Sequence, residues 1–276
     1  AFGGPMMSVD DAVSLIAASV NAITDFETVP LPDSDGRVLA GNVTAPLPLP
    51  PFTNSAVDGY AALSRDIAKT AEQILPVAGR IQAGAAACGP LEPGHVVRIF
   101  TGAPLPPGAD TVFMQEDVRI DPSGKVVLPP GLKPGANVRP AGEDIRQGEI
   151  GLRAGQRLHP QHVALAAAFG LTHLKVVRRI RVAVFSTGNE LASPGQARDG
   201  AQLFDSNRFM LMAMLRRLGC GVTDLGILRD DPISLAGGLK TVAGKCDLVL
   251  TSGGVSAGEE DHVKTAVESI GTLVMW

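Results

Sequence analysis

The stretch DLVLTSGGVSAGEED (residues 247–261) reads as a strand, a turn and the start of a helix. Leu248 to Thr251 is a short apolar run. Gly253, Gly254 and Gly258 let backbone amides approach an anion closely, and Ser252 and Ser256 add hydroxyl groups. Glu259 to Asp261 then lead into a helix whose N-terminus favours negative charge. No Lys-Ser/Thr pair follows the glycines and no G-x-G-x-x-G is present, so neither common phosphate-loop pattern applies. A phosphate fits this loop. A glycine-rich turn with acidic capping accounts for it equally well.

The neighbouring sequence supplies the context. Strands are expected at Ile180 to Ser186, Gly221 to Leu228, Leu248 to Thr251 and Thr272 to Met275. Helices are expected at Ser206 to Leu218 (stopped by Gly219), Ile233 to Ala243 and Asp261 to Ile270. This βαβαβαβ order predicts a parallel sheet covered by helices. Ligands in such sheets sit at the carboxyl ends of the strands. Two loops occupy such ends: Ser186-Thr187-Gly188-Asn189-Glu190 and residues 251–261. Glu190 and Asp261 follow them, and Asp230-Asp231 follow the intervening strand. A carboxylate about 5 Å from a phosphate, at an effective dielectric near 20, repels it by roughly 3 kcal/mol. A bridging divalent cation resolves the conflict, and Mg2+ with oxygen ligands is the natural choice. Asp231-Pro232 also reads as a helix cap with proline at the first helical position, which explains Asp230 and Asp231 without a metal.

Composition separates this half from the rest. Of the 21 prolines, 18 lie in residues 1–140. Proline removes a ladder donor and fixes φ, so the first half is expected to consist of short strands and turns. Ser8 with Asp11 caps a helix carrying Val9, Val13, Ile16 and Val20. Arg37 to Ala45 reads as a short helix or a turn. Five short apolar runs between residues 57 and 128, separated by Gly/Pro turns, predict a barrel or sandwich. His159-Pro160 opens a helix that stops at Gly170.

Several classes are excluded or disfavoured. An apolar fraction of 45% rules out wholesale disorder. The longest apolar stretches, about seven residues, are too short to span a bilayer. A net charge of −4 and a pI of about 5.7 argue against a nucleic-acid surface. Cys88, Cys220 and Cys246 form no C-x-x-C pair, so reduced cysteines in a cytoplasmic protein are expected. His159, His162 and His173 lack the partners of a zinc site. Arg178, Arg179 and Arg181 suggest edge protection or a carboxylate partner. Met210, Met212 and Met214 are expected to pack. Asp58 lies in SAVDGY, Thr101 in RIFTGA and Asp144 in GED. Asx-turn formation is an equal explanation for Asp58.

Six ordered stretches together resemble the molybdopterin molybdotransferase family, which includes MoeA and the gephyrin E domain. They are PPFTNSAVDGYA (50–61), RIFTGAPLPPGADTVFMQED (98–117), NVRPAGEDIRQGE (137–149), VAVFSTGNEL (182–191), DSNRFML (205–211) and DLVLTSGGVSAGEED (247–261). The resemblance implies a multidomain α/β plus β fold. An elongated, discontinuous helical and linker lobe would comprise 6–53 and 140–178, with part of 26–45 packing on the α/β lobe. A small β-rich lobe would comprise 54–139. Residues 179–276 would form a MogA-like molybdopterin-binding lobe with a mainly parallel sheet, incomplete at its C-terminus. The family continues into a further β lobe, so the chain is expected to be truncated and weak or inactive alone.

The implied activity is a transferase step of molybdenum cofactor biosynthesis. Molybdate is inserted into adenylylated molybdopterin and AMP is released, with Mg2+ as cofactor. Carried over by motif, Asp58, Thr101, Asp144, Glu190 and Asp261 would be catalytic. Thr187, Gly188, Ser252, Gly253, Gly254 and Ser256 would hold the pterin. Glu190, Asp261 and Asp230 would bind metal. Asn189 stands where the family commonly has Asp. A cytoplasmic homodimer is implied, with a molybdopterin adenylyltransferase as pathway partner and neither nucleic acid nor membrane bound. The alternatives are an adenylyltransferase-like activity and a gephyrin-like dimeric scaffold.

Overall fold

The computed structural model describes residues 7–85, 89–254 and 262–273. Cys88, Ser256 and Asp261 lie outside them, as do Val274 and Met275 of the expected fourth strand. Thr272 and Leu273 have no regular structure. The chain forms two compact units. One comprises residues 1–40, 157–159 and 173–276, the other 41–156 and 160–172.

The first unit is built on a three-stranded parallel sheet. Its central strand, Arg181–Thr187, is flanked by Gly221–Leu228 on one side and Leu248–Ser252 on the other. Every residue of the central strand after Arg181 is buried, as expected where helices cover both faces. Alternate side chains serve opposite faces. Val182 and Val184 pack with Met212 and Leu215 of the helix Asn207–Arg217. Phe185 packs with Leu235 and Leu239 of the helix Pro232–Val242, and with Val263 and Ala266 of His262–Ile270.

The local signals explain the helix ends. Asp231 accepts from the Ser234 amide at 2.8 Å with Pro232 at the first turn, so the capping reading holds for Asp231. After Arg217, the Gly219 and Cys220 amides return to the Arg216 and Leu215 carbonyls. The methionines divide: Met212 is buried, whereas Met210 and Met214 are more than half exposed and do not pack as expected. Their spacing places them off the face that meets the sheet. Cys220 and Cys246 are free thiols.

At the opposite end of the sheet from the loops, Asp247 gathers the arginines. It accepts from Arg178 at 2.6 and 2.9 Å, from the Arg181 guanidinium at 3.0 Å and from the Arg181 amide at 2.8 Å. Those hydrogen bonds, Arg178 first, hold its carboxyl well below the usual carboxylate range. The expected carboxylate partner of Arg178 and Arg181 is therefore Asp247, whereas Arg179 donates to the Gly219 carbonyl at 2.8 Å. Among the described residues the unit also carries an antiparallel pair, Phe26–Pro30 with His173–Val177, and a short parallel pair, Leu191–Ala192 with Leu203–Phe204. The helix Val9–Ser19 is capped by Ser8 as expected, but none of its residues is buried. Residues 37–45 form no helix; isolated bridges join Val38 to Arg157 and Leu39 to Val176.

The second unit is β-rich. A four-stranded sheet runs in the order Val77–Ile81, Val96–Ile99, Gly59–Ala62, Thr111–Met114. A three-stranded sheet runs Gln73–Leu75, Val126–Leu128, Arg119–Ile120. Ala62, Val96 and Phe113 of the first pack against Leu75, Val126 and Leu128 of the second, a sandwich rather than a barrel. The other face of the larger sheet holds Ala61, Ile81, Val97, Ile99 and Val112. The helix Pro160–Ala168 closes with the Leu171 amide on the Ala166 carbonyl and Gly170 at φ +75°.

Candidate functional site

In the first unit two loops leave adjacent parallel strands at the same level, because Ser186 is in register with Ser252. They touch through backbone. Gly253 has φ +97°, and a Cβ there would overlap the Thr187 carbonyl oxygen. A Cβ on Gly254 (φ +71°) would lie 3.0 Å from Thr187 Cγ2 and would overlap Val263. Only glycine permits this approach, so these two positions seat one loop on the other. The Thr251 hydroxyl donates to the Gly253 carbonyl at 3.2 Å.

Among the described residues, two buried polar atoms at these strand ends lack partners. Thr187 is 3% exposed and its Oγ1 makes no hydrogen bond. Asp230 follows the strand whose Leu228 is in register with Thr187, and its Oδ1 is buried and equally unpaired. Leaving such groups unmatched costs about 1–3 kcal/mol each, a cost that a bound ligand removes. Glu190 is exposed, and its carboxylate lies over the Gly188 backbone: a Cβ on Gly188 would be 2.6 Å from both oxygens. Hard carboxylate oxygens of this kind suit Mg2+. Among the described residues, no group of three or more His, Cys, Asp or Glu side chains is arranged to hold a metal. Of the expected metal ligands, Glu190 and Asp230 are thus placed at strand ends.

Behind the Ser186 end of the central strand lies a buried ionic network. Ser186 Oγ donates to Asp205 Oδ1 at 3.0 Å, and Arg208 Nε donates to Asp205 Oδ2 at 2.7 Å. Arg208 also donates to both oxygens of Asp224, which in turn accepts from the Gly226 amide. Burial pushes the Asp224 carboxyl up, but the Gly226 amide and Arg208 outweigh it and leave it below the usual range. Burial likewise opposes the charge on Arg208, and Asp205 and Asp224 hold its pKa above normal. Sequence reasoning gave Asp205 and Arg208 no role. Their three-residue spacing at a helix start was the available signal; Asp224, on another strand, had none.

The second unit holds Asp58, Thr101 and Asp144. Asp58 Oδ1 accepts from the Thr101 amide and hydroxyl, both at 2.8 Å. The structure therefore joins two expected site residues across neighbouring strands, and the Asx-turn alternative for Asp58 gives way to this longer-range pairing. The Thr101 bonds, backbone first, hold Asp58 below the usual carboxylate range. Asp144 pairs instead with Arg139, at 2.8 and 2.9 Å, and Arg139 also takes Glu143. Asp144 borders a depression of about 370 Å³ lined also by Gly142, Arg146 and Glu149.

Residues 7–170 match the model of the MoeA N-terminal region, domains I and II, and residues 183–275 match a probable molybdopterin-binding domain. The chain belongs to the MoeA family. It is 35% identical over 271 residues to a molybdopterin molybdenumtransferase of Haemophilus influenzae, covering 98% of this chain and 67% of that protein. It is 41% identical over 269 residues to molybdopterin molybdenumtransferase 2 of Mycobacterium tuberculosis, covering 96% of this chain and 65% of that protein. The chain thus spans about two thirds of the length of these curated relatives. Two crystal structures of MoeA protein from Pyrococcus horikoshii are each 32% identical, with TM-scores of 0.80 and 0.82 over 93% and 88% of this chain and 65% of each of theirs. The MoeA fold accounts for a β-rich unit and a parallel α/β unit in one chain.

Proposed function

We propose that this chain acts in molybdenum cofactor biosynthesis as a molybdopterin molybdenumtransferase. It takes adenylylated molybdopterin and molybdate, splits the phosphoanhydride with water to release AMP, and leaves molybdenum on the dithiolene. The observation that carries this reading is the seating of Gly253 and Gly254 on Thr187, beside the unpaired Thr187 Oγ1 and Asp230 Oδ1. Amides and hydroxyls of Thr187, Gly188, Ser252, Gly253, Gly254 and Ser256 hold the phosphate end of the pterin. Asp230, Glu190 and Asp261 hold Mg2+, which when bound neutralises charge on the diphosphate. Asp58, Thr101 and Asp144 act on the same substrate. The match of residues 7–170 to the MoeA N-terminal region favours this reading over a free-standing adenylyltransferase. The same family pattern supports a division into a linker lobe (6–53 and 140–178), a β-rich lobe (54–139) and an α/β lobe (179–276).

The working form is a cytoplasmic homodimer, supplied with substrate by a molybdopterin adenylyltransferase. Support for a second copy comes from the helix Val9–Ser19. Val9, Val13 and Ile16, with Val20 just beyond the helix, recur at helical spacing and are each more than half exposed. No helix among the described residues is long and apolar enough to cross a membrane. Calorimetric titration with molybdopterin and its adenylate, with and without Mg2+, tests the reading. Specific binding of both is expected; binding of neither removes it. Light scattering of wild type and Val13→Asp tests the dimer, which the charge is expected to dissociate.

A further inference from the structure

On the face of the larger β sheet that also carries Ala62, Val96 and Phe113, Arg80 and Arg98 stand at directly paired positions of neighbouring parallel strands, and Arg98 is in turn paired with Tyr60. Like charges so placed repel one another. Both are nevertheless held on aromatic faces. The Arg80 guanidinium carbon is 4.5 Å from the Phe100 ring centre. That of Arg98 is 5.0 Å from Phe100 and 4.9 Å from Tyr60. Their other partners are neutral. Arg98 donates to Gln115, and Gln82, with its amide oxygen turned inward, accepts from Arg80 at 3.1 and 3.3 Å. Among the described residues neither guanidinium has a carboxylate ion-pair partner, whereas Arg119 and Arg139 of the same unit do. Asp58, which lies near enough for its charge to feel Arg98, uses its bonding oxygen for Thr101.

Two adjacent, ordered guanidinium groups that no carboxylate bonds among the described residues are a preformed anion site. Their planar forks match phosphoryl oxygens, and the aromatic rings fix their orientation in advance. We propose that Arg80 and Arg98, set on Phe100 and Tyr60, bind the phosphoryl groups of the substrate beside the Asp58–Thr101 pair. The proposal rests on the molybdopterin reading, since the adenylylated pterin carries a diphosphate whose charge matches two arginines.

The test is calorimetry of the 276-residue chain with inorganic pyrophosphate in magnesium-free buffer, with adenosine as the uncharged probe. Pyrophosphate is expected to bind and adenosine not to compete with it. Arg80→Gln and Arg98→Gln should each weaken pyrophosphate binding by about tenfold or more. Arg119→Gln, which changes net charge equally but lies in the Glu72 ion pair, should leave it unchanged. Circular dichroism melts confirm that each variant is folded. Unchanged pyrophosphate binding in the Arg80 and Arg98 variants overturns the proposal. So does an equal loss in Arg119→Gln, which would indicate net charge alone, or no binding by wild type. Failure of the wider reading is read separately, as loss of wild-type binding to molybdopterin itself.

Discussion

Replacing Asp205 with alanine removes the carboxylate that ties the end of the central strand to the following helix. Asp205 is 2% exposed and Arg208 4% exposed. The substitution takes away the Ser186 bond at 3.0 Å, the Arg208 Nε bond at 2.7 Å and the Arg208 amide bond at 3.3 Å. It leaves a buried guanidinium with Asp224 as its remaining carboxylate, and that side chain is 39% exposed. Breaking a buried pair from one side costs about 3–5 kcal/mol. With a urea dependence of about 2 kcal/mol per molar, the unfolding midpoint should fall by roughly 2 M. Urea titration followed by circular dichroism measures it. Ser186→Ala, which removes one neutral donor, should cost about 0.5–1.5 kcal/mol in the same assay. A shift below about 0.5 M for Asp205→Ala would mean that the network does not hold the strand end, and the reasoning would fail.

Asp231→Ala should lower stability by about 1 kcal/mol through loss of the helix cap, measured by the same titration. Gly59→Ala should destabilise the β-rich unit by about 1–3 kcal/mol or more, since the new methyl would overlap the Phe113 carbonyl oxygen across the sheet; a stability equal to wild type would contradict that packing. Asp247 has a folded pKa held below its unfolded value of about 3.9 by Arg178 and Arg181. Its stabilisation is therefore present above about pH 4 and is lost as the pH falls toward the depressed folded value. Asp247→Asn should be less stable than wild type at neutral pH, and the gap should narrow on acidification; a constant gap would disprove the linkage.

Much of the α/β unit was legible because its signals are local. Asp231-Pro232, Gly219 and the apolar run from Val182 to Phe185 each specify backbone behaviour within a few residues. The loops at 186–190 and 251–254 could be placed at strand ends for the same reason, since a parallel sheet has only one ligand-bearing edge. What escaped depends on contacts between distant segments. Nothing near Asp224 announces Arg208, and nothing near Asp58 announces that Thr101 will be its donor. Met210 and Met214 follow the hydrophobic pattern of a buried helix yet face outward, because the helix Asn207–Arg217 meets the sheet through Met212 and Leu215. The pairing of Arg80 with Arg98 required strand register, which the short strands of the β-rich unit do not declare in sequence.

The central claim is that the pterin is held where Gly253 seats its loop on Thr187. Molybdopterin binding to wild type and Gly253→Ala, measured by calorimetry on folded protein, tests it most directly. Alanine at φ +97° and against the Thr187 carbonyl must displace that loop. A strain of about 1–3 kcal/mol spent in the bound geometry weakens binding by roughly 5- to 150-fold. A loss of that size is the predicted result; wild-type affinity in Gly253→Ala would contradict the account.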